Sequence, residues 1–241
     1  MNKPASPDQT IMAEDVLPCV KILVIGNGSV GKSSMIRRFC KGAYNENYKK
    51  TIGVEYLEKE VEIDGYGDVR LMLWDTAGQE EFDEITREYY KDTDAVVLAF
   101  STDDRPSFET VKSWCSKIKT ICADVSMVLV QNKIDLIQQA AVSSQEAEAL
   151  ARDLRMRLFR VSVKESLNVE EVFTYLAQKQ LEKEREKRQM AAAAAKDVSD
   201  DDIKSRPQSG RFKDSKNTSD RRVTSARPPH MIGKKDNCII S

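Results

Sequence analysis

The sequence is nearly without histidine: of 241 residues only His230 is one, and it lies in a polar C-terminal stretch. Ser-His-Asp and Cys-His nucleophile systems and histidine-ligated zinc are therefore excluded. The five cysteines, Cys19, Cys40, Cys115, Cys122 and Cys238, form no C-x-x-C pair and are too few to staple a chain of this length. A reducing compartment is expected, with the first four serving as small packing residues. No apolar run approaches the roughly 20 residues of a membrane span, and Asp8, Glu14 and Asp15 interrupt the stretch where a signal peptide would need apolar residues. An excess of one charge sign is missing as well. With 38 Lys+Arg against 39 Asp+Glu the net charge is -1, which argues against capture of nucleic acid by the whole chain. That balance hides an asymmetry: residues 203–241 hold ten Lys/Arg and three Asp, net +7, leaving 28 minus 36, or -8, for residues 1–202.

Residues 1–18 contain three prolines and no hydrophobic period, as expected of a flexible N-terminal extension. From Cys19 onward, short apolar runs (VKILVIG at 20–26, VRLMLWD at 69–75, AVVLAF at 95–100, MVLVQN at 127–132, RLFRVS at 157–162) alternate with helical stretches, the pattern of an α/β domain built on a parallel sheet. VEIDGYGDVRLML at 61–73 instead reads as a hairpin, so one antiparallel edge strand is expected. The last helix carries Val169, Val172, Phe173, Leu176 and Leu181 on one stripe, with Asn168 as its expected N-cap. The stripe stops after Glu182. Residues 183–241 are expected to fray and then form a largely disordered basic tail.

Three motifs carry chemistry. GNGSVGKS at 26–33 fits G-x-x-x-x-G-K-[ST] between an apolar strand and a helical stretch. Its backbone N–H groups suit phosphate oxygens, Lys32 reaches the outer phosphates, and the Ser33 hydroxyl suits Mg2+. WDTAGQE at 74–80 ends a strand with Asp75, which can hold Mg2+ through a water, while the Gly78 N–H faces a terminal phosphate and Gln79 stands beside an attacking water. NKID at 132–135 lies at the end of a further strand, where open α/β sheets bind ligands. The Asp135 carboxylate, acceptor-only, matches the adjacent ring and exocyclic N–H groups of guanine, a pair that adenine lacks.

In this order the motifs resemble the Ras superfamily of small GTPases from about Cys19 to Glu182, which implies a small G domain over 19–182: a six-stranded, mostly parallel sheet with one antiparallel edge strand and helices on both faces. The resemblance implies a GTP site formed by Gly28, Ser29, Val30, Gly31, Lys32, Ser33, Ser34, Tyr44, Tyr48, Thr51, Gly78, Asn132, Lys133, Asp135, Ser162, Val163 and Lys164. Of these, Thr51 would ligate Mg2+ only when the third phosphate is present, Tyr44 would pack across guanine, and SVK at 162–164 would complete the base pocket. Ser33, Thr51 and Asp75 are the implied metal set. Gln79, Lys32 and Thr51 are the implied catalytic residues, with hydrolysis slow, on the order of 10⁻⁴ per second, until a partner supplies a cation.

Within the superfamily, IGVEY at 52–56, LMLWDTAGQEEF at 71–82 and Tyr89–Tyr90 resemble the Rab family, which implies effector contact through Ile52, Gly53, Tyr56, Trp74 and Tyr89. FSTDD at 100–104 departs from the family's usual segment. With VLVQNKIDL and SVKESLNVEEVF it is similar to the Rab twenty-three branch.

CIIS at 238–241 fits C-a-a-X, making Cys238 a prenylation site, with farnesyl favoured by the terminal serine and geranylgeranyl the alternative. A flexible chain from Lys183 to Cys238 would average about 40 Å. The implied partners are an exchange factor, a GTPase-activating protein, GTP-state effectors, a prenyltransferase, and a GDP-dissociation inhibitor or escort protein, around a monomer that binds no nucleic acid. The implied location is the cytoplasmic face of plasma membrane and endosomal vesicles, with a cytosolic pool. Two other classes remain open on residues alone: a GTP-gated scaffold that hydrolyses negligibly, which Gln79 opposes, and an ATP-using P-loop kinase or motor, which NKID opposes.

Overall fold

A computed structural model of the chain describes residues 17–45, 51, 53–76, 89–122 and 124–204, the last eleven of these by backbone alone. The elements run β1 (Cys19–Ile25), α1 (Lys32–Lys41), β2 (Val54–Ile63), β3 (Gly67–Thr76), β4 (Ala95–Ser101), α2 (Arg105–Glu109), α3 (Val111–Ile121), β5 (Ser126–Asn132), a 3₁₀ segment (Ile134–Gln139), α4 (Ser144–Leu154), β6 (Arg157–Arg160) and α5 (Val169–Lys204). The six strands form one sheet in the order β2-β3-β1-β4-β5-β6. Only the β2–β3 pair is antiparallel. The expected architecture is thus present, with β2 as the edge strand. Gly65 and Gly67, at φ +78° and +74°, turn the hairpin through backbone conformations that favour glycine.

Both sheet faces are covered, which explains strands that read as unbroken apolar runs instead of alternating ones. Along β1 the side chains part by period two: Val20, Ile22 and Val24 pack with Met35, Ile36 and Phe39 of α1 and Val172, Phe173 and Leu176 of α5. On the other face Leu23 and Ile25 pack with Trp114 and Ile118 of α3 and Ala147 and Leu150 of α4. β1 lies between β3 and β4 in the sheet order. Its C-terminal end is therefore the switch point where such sheets bind ligands, and residues 26–33 follow it directly.

Three expectations are corrected. α5 does not fray after Glu182 but remains helical to Lys204. Where its apolar stripe ends, Lys183 and Lys187 grip Asp124 at 2.6 and 2.8 Å, Arg185 stacks on Tyr66, and Glu184 pairs with Arg188 one turn on; the alanine run then continues with the best helix former. The two lysines hold the Asp124 carboxyl down at about 2. Flexible-chain arithmetic consequently does not apply to the 183–204 part of the path to Cys238. Second, Asn168 takes up φ +56° and its side-chain amide donates to Arg160 O at 2.7 Å, so it is a left-handed turn residue rather than an extended cap. Third, Cys19 is exposed, unlike the buried Cys115 and half-buried Cys40 and Cys122.

Candidate nucleotide and metal site

The loop after β1 is held from several directions. Gly26, at φ +142°, lies so close to β4 that a Cβ would come within 2.1 Å of Ala99 O, which only glycine allows. Lys32 is the first residue of α1; its side chain is 5% exposed and its Nζ turns back to donate to Gly26 O and Asn27 O, each at 2.8 Å. Those two carbonyls hold the ammonium at the loop. Asn132 of the NKID segment donates from Nδ2 to Val30 O at 2.8 Å, and a Cβ on Gly31 would collide with that same nitrogen at 2.3 Å. Two of the three motifs are thus hydrogen-bonded to each other across 102 residues.

The third joins them through β3, which pairs in parallel with β1. Asp75 ends buried beside α1, and Ser33 Oγ and Thr51 Oγ1 lie 2.7 Å apart, with Thr51 Oγ1 3.4 Å from Asp75 Oδ2. The expected metal set therefore converges. Burial pushes the Asp75 carboxyl above its ordinary range, opposed by a hydrogen bond from Ser33 and by the Lys32 ammonium. Asp75 Oδ1 is buried with no hydrogen-bond partner, a costly arrangement that a nearby cation would relieve. Among the described residues no three His, Cys, Asp or Glu cluster. A cation here would thus rely on two hydroxyls, one carboxylate and oxygens from a ligand, which suits a hard ion such as Mg2+ that binds together with phosphate.

At the base end, Asp135 Oδ1 accepts from Ser162 Oγ at 2.6 Å, while Ser162 Oγ accepts from the Glu165 N–H at 3.1 Å. Val163 and Lys164 follow, and their carbonyls accept from the Arg38 guanidinium at 3.0 and 2.8 Å. The structure thus brings 132–135 and 162–164 to one end of the phosphate loop. Tyr44 is exposed, with the Arg38 guanidinium 5.4 Å from its ring centre. Lys133, in the left-handed region at φ +57°, pairs with Asp103 at 3.4 Å. Burial alone would raise the Asp103 carboxyl, but hydrogen bonds from Ser101 and the Lys133 ammonium together bring it below its ordinary value. The FSTDD departure therefore places a carboxylate against the NKID lysine.

On the neighbouring surface, the rings of Tyr56 and Trp74 are 5.2 Å apart and those of Trp74 and Tyr89 are 5.7 Å apart. Trp74 is half-buried under Lys21, whose Nζ is 5.0 Å from its ring centre, whereas Tyr56 and Tyr89 are exposed. Exposed Gly53 precedes β2. Gly28 and Ser34 are half-buried and Ser29 exposed on the phosphate loop and the start of α1. Of the remaining expected site residues, Tyr48, Ile52, Gly78, Gln79 and Cys238 lie outside the described residues.

A family model described as the Ras family matches residues 21–182. Ras-related protein Rab-13 of Rattus norvegicus is 40% identical over 158 residues, covering 65% of this chain and 77% of that protein. The chain belongs to the Rab family of Ras-type small GTPases. GTP-binding protein YPTM1 of Zea mays is 41% identical over 154 residues (64% of this chain, 74% of that protein), and Ras-related protein Rab-1A of Dictyostelium discoideum is 37% identical over 158 residues (65% and 78%). This Rab is accordingly a GTP hydrolase that binds GTP and GDP with Mg2+, works with exchange factors, activating proteins and effectors, and regulates membrane traffic. No helix among the described residues is long and apolar enough to cross a membrane.

Arg38, Asp103 and Asn27 are the site-supporting residues that motif reading missed. Each acts on a segment far along the chain, and only FSTDD, as a departure from the family's usual segment, offered any signal.

Proposed function

We propose that this Rab grips GTP through the residues gathered above and works as a lipid-anchored switch on the cytoplasmic face of plasma membrane and endosomal vesicles, with a cytosolic pool. The observation that carries the site assignment is the meeting of Ser33, Thr51 and the orphaned Asp75 Oδ1 beside Lys32. In this reading Gly28 to Ser34 wrap the phosphates. Ser33 and Thr51 would hold Mg2+ through their hydroxyls, with the Asp75 carboxylate beside them. The ion, when bound, neutralises phosphate charge. Lys32 steadies the outer phosphates, and Gln79 orients the attacking water, so that catalysis is positioning plus charge. Asn132, Lys133, Asp135, Ser162, Val163 and Lys164 hold guanine, flanked by Tyr44 and Tyr48. Thr51 and the Gly78 N–H lose their partner on hydrolysis, so the segments near 44–56 and 76–90 report the nucleotide to effectors that meet Tyr56, Trp74 and Tyr89. FSTDD, with VLVQNKIDL and SVKESLNVEEVF, favours the Rab twenty-three branch.

Competition between GTP and ATP for the purified chain tests the base assignment, and bound nucleotide recovered from protein purified from its own cells tests the site as a whole. Recovery of adenine nucleotide, or of none, would overturn the reading. Ser33→Asn is expected to weaken Mg2+ binding at least tenfold, on the loss of a ligand hydroxyl, and to trap an exchange-factor-bound form. Titration of Mg2+ against nucleotide release checks this, and a variant that still recruits effectors would show the metal assignment to be wrong.

The anchor would be a prenyl group on Cys238, attached by a prenyltransferase and shielded in the cytosol by a GDP-dissociation inhibitor or escort protein. One lipid chain binds membranes only marginally, and the tail's lysines and arginines would each add about 1 kcal/mol at an anionic leaflet. Cys238→Ser is expected to leave nucleotide affinity unchanged and to move the protein from the membrane pellet to the supernatant. Continued pelleting would point to another anchor.

A further inference from the structure

The phosphate loop has one attachment that none of the three motifs explains. Asn27 Oδ1 accepts two hydrogen bonds, from Thr110 Oγ1 at 2.9 Å and from Trp114 Nε1 at 3.0 Å. Its main-chain carbonyl at the same time accepts from Lys32 Nζ. One residue therefore links α3, through its side chain, to the phosphate-facing lysine, through its backbone.

The two donors differ in their chemistry. Trp114 is 4% exposed, and an indole N–H is a donor only, so Asn27 Oδ1 supplies an acceptor to a buried donor. Thr110 occupies the N-cap position of α3, where a threonine hydroxyl ordinarily accepts from the first turn; here it makes no cap hydrogen bond and instead faces Asn27 and Ser107 O. Asn132 secures the other end of the loop at Val30 O. The loop is thus fixed at Val30 by the base segment and at Asn27 by α3, with Gly28 and Ser29 between.

We propose that Thr110 and Trp114 are positioning residues for the reaction: through Asn27 they hold the carbonyl that aligns Lys32, and so set how tightly the phosphates of GDP and GTP are kept. This rests on the assignment of residues 26–34 to phosphate. Loss of the link frees the Asn27 carbonyl, lets the Lys32 ammonium depart from its two-carbonyl seat, and loosens both nucleotides.

The test uses the full-length chain loaded with a fluorescent GDP analogue. Asn27→Ala and Trp114→Phe are each expected to speed its release about tenfold, the scale of one lost hydrogen bond in the link, and to slow single-turnover GTP hydrolysis. Thr110→Val should act in the same direction, while Thr110→Ser, which restores the hydroxyl, should stay within about twofold of the parent. Because the residues form one link, Asn27→Ala with Trp114→Phe combined should release no faster than Asn27→Ala alone. A purely structural role would give additive effects that follow the thermal midpoint, with no rescue by serine, and would overturn the proposal, as would release within twofold of the parent in Asn27→Ala. That variant alters a half-buried loop side chain outside the apolar core, so it decides the matter if Trp114→Phe does not fold. Failure of the parent chain to bind guanine nucleotide would instead sink the underlying phosphate assignment.

Discussion

Gln79→Leu is expected to retain GTP while losing at least about a thousandfold of activator-stimulated hydrolysis, since stimulation in such switches amounts to some five orders of magnitude and depends on a correctly placed water. Leucine has similar bulk but neither donor nor acceptor, so the water keeps its space and loses its orientation. The structural basis is the firm placement of the strand that precedes it. Thr76 donates from Oγ1 to Val24 O at 3.0 Å, locking the end of β3 to β1, and Asp75 is buried beside Lys32 and Ser33. Gln79 follows Asp75 by four residues in the sequence, and the proposed role requires it to stand beside the attacking water. Phosphate release under single-turnover conditions, with and without an activating protein, measures the effect. Stimulated turnover equal to that of the parent would remove Gln79 from the mechanism.

Most of the fold was legible because burial on both faces leaves an unmistakable trace. Strands such as AVVLAF have no polar side to confuse them, and the glycines at 65 and 67 declare the hairpin through the φ values they supply. The end of α5 was not legible in the same way. Its apolar stripe does stop at Leu181, but beyond it Lys183 and Lys187 meet Asp124, a partner some sixty residues earlier that periodicity cannot reveal. Cys19 differs for a related reason, since its type suggests burial while its place at the start of a strand leaves it exposed.

At the candidate site, residues in contiguous motifs are legible in the sequence and residues acting across the chain are not. Ser33, Asp75, Asn132 and Asp135 belong to short patterns whose spacing states their chemistry. Arg38 is an unremarkable helix arginine in the sequence, and only the fold brings it to the carbonyls of Val163 and Lys164, 125 and 126 residues away. Asn27 fills a variable position of the phosphate-loop pattern, and only the fold sets Thr110 and Trp114 against it.

In the proposed reading the choice of base rests on the Asp135 carboxylate, which Ser162 orients. Ser162 Oγ accepts from the Glu165 N–H, so its single proton goes to Asp135 Oδ1. In Asp135→Asn the carbonyl oxygen must keep that position to accept from Ser162, which turns the new NH₂ toward the base. There it would face the exocyclic amine of guanine, donor against donor, where the parent offers an acceptor. Losing a charge-assisted pair of hydrogen bonds at about 1.5 to 3 kcal/mol each corresponds to a fall in GTP affinity of about 10² to 10⁴. Xanthine carries a carbonyl in place of that amine and would match the new donor. The expected result is therefore an exchange of preference: GTP weakens by those factors while XTP gains, read by competing each against a fluorescent guanine nucleotide on parent and variant. Equal weakening of both nucleotides would mean that Asp135 acts by holding Ser162 and its loop in place and not by touching the base.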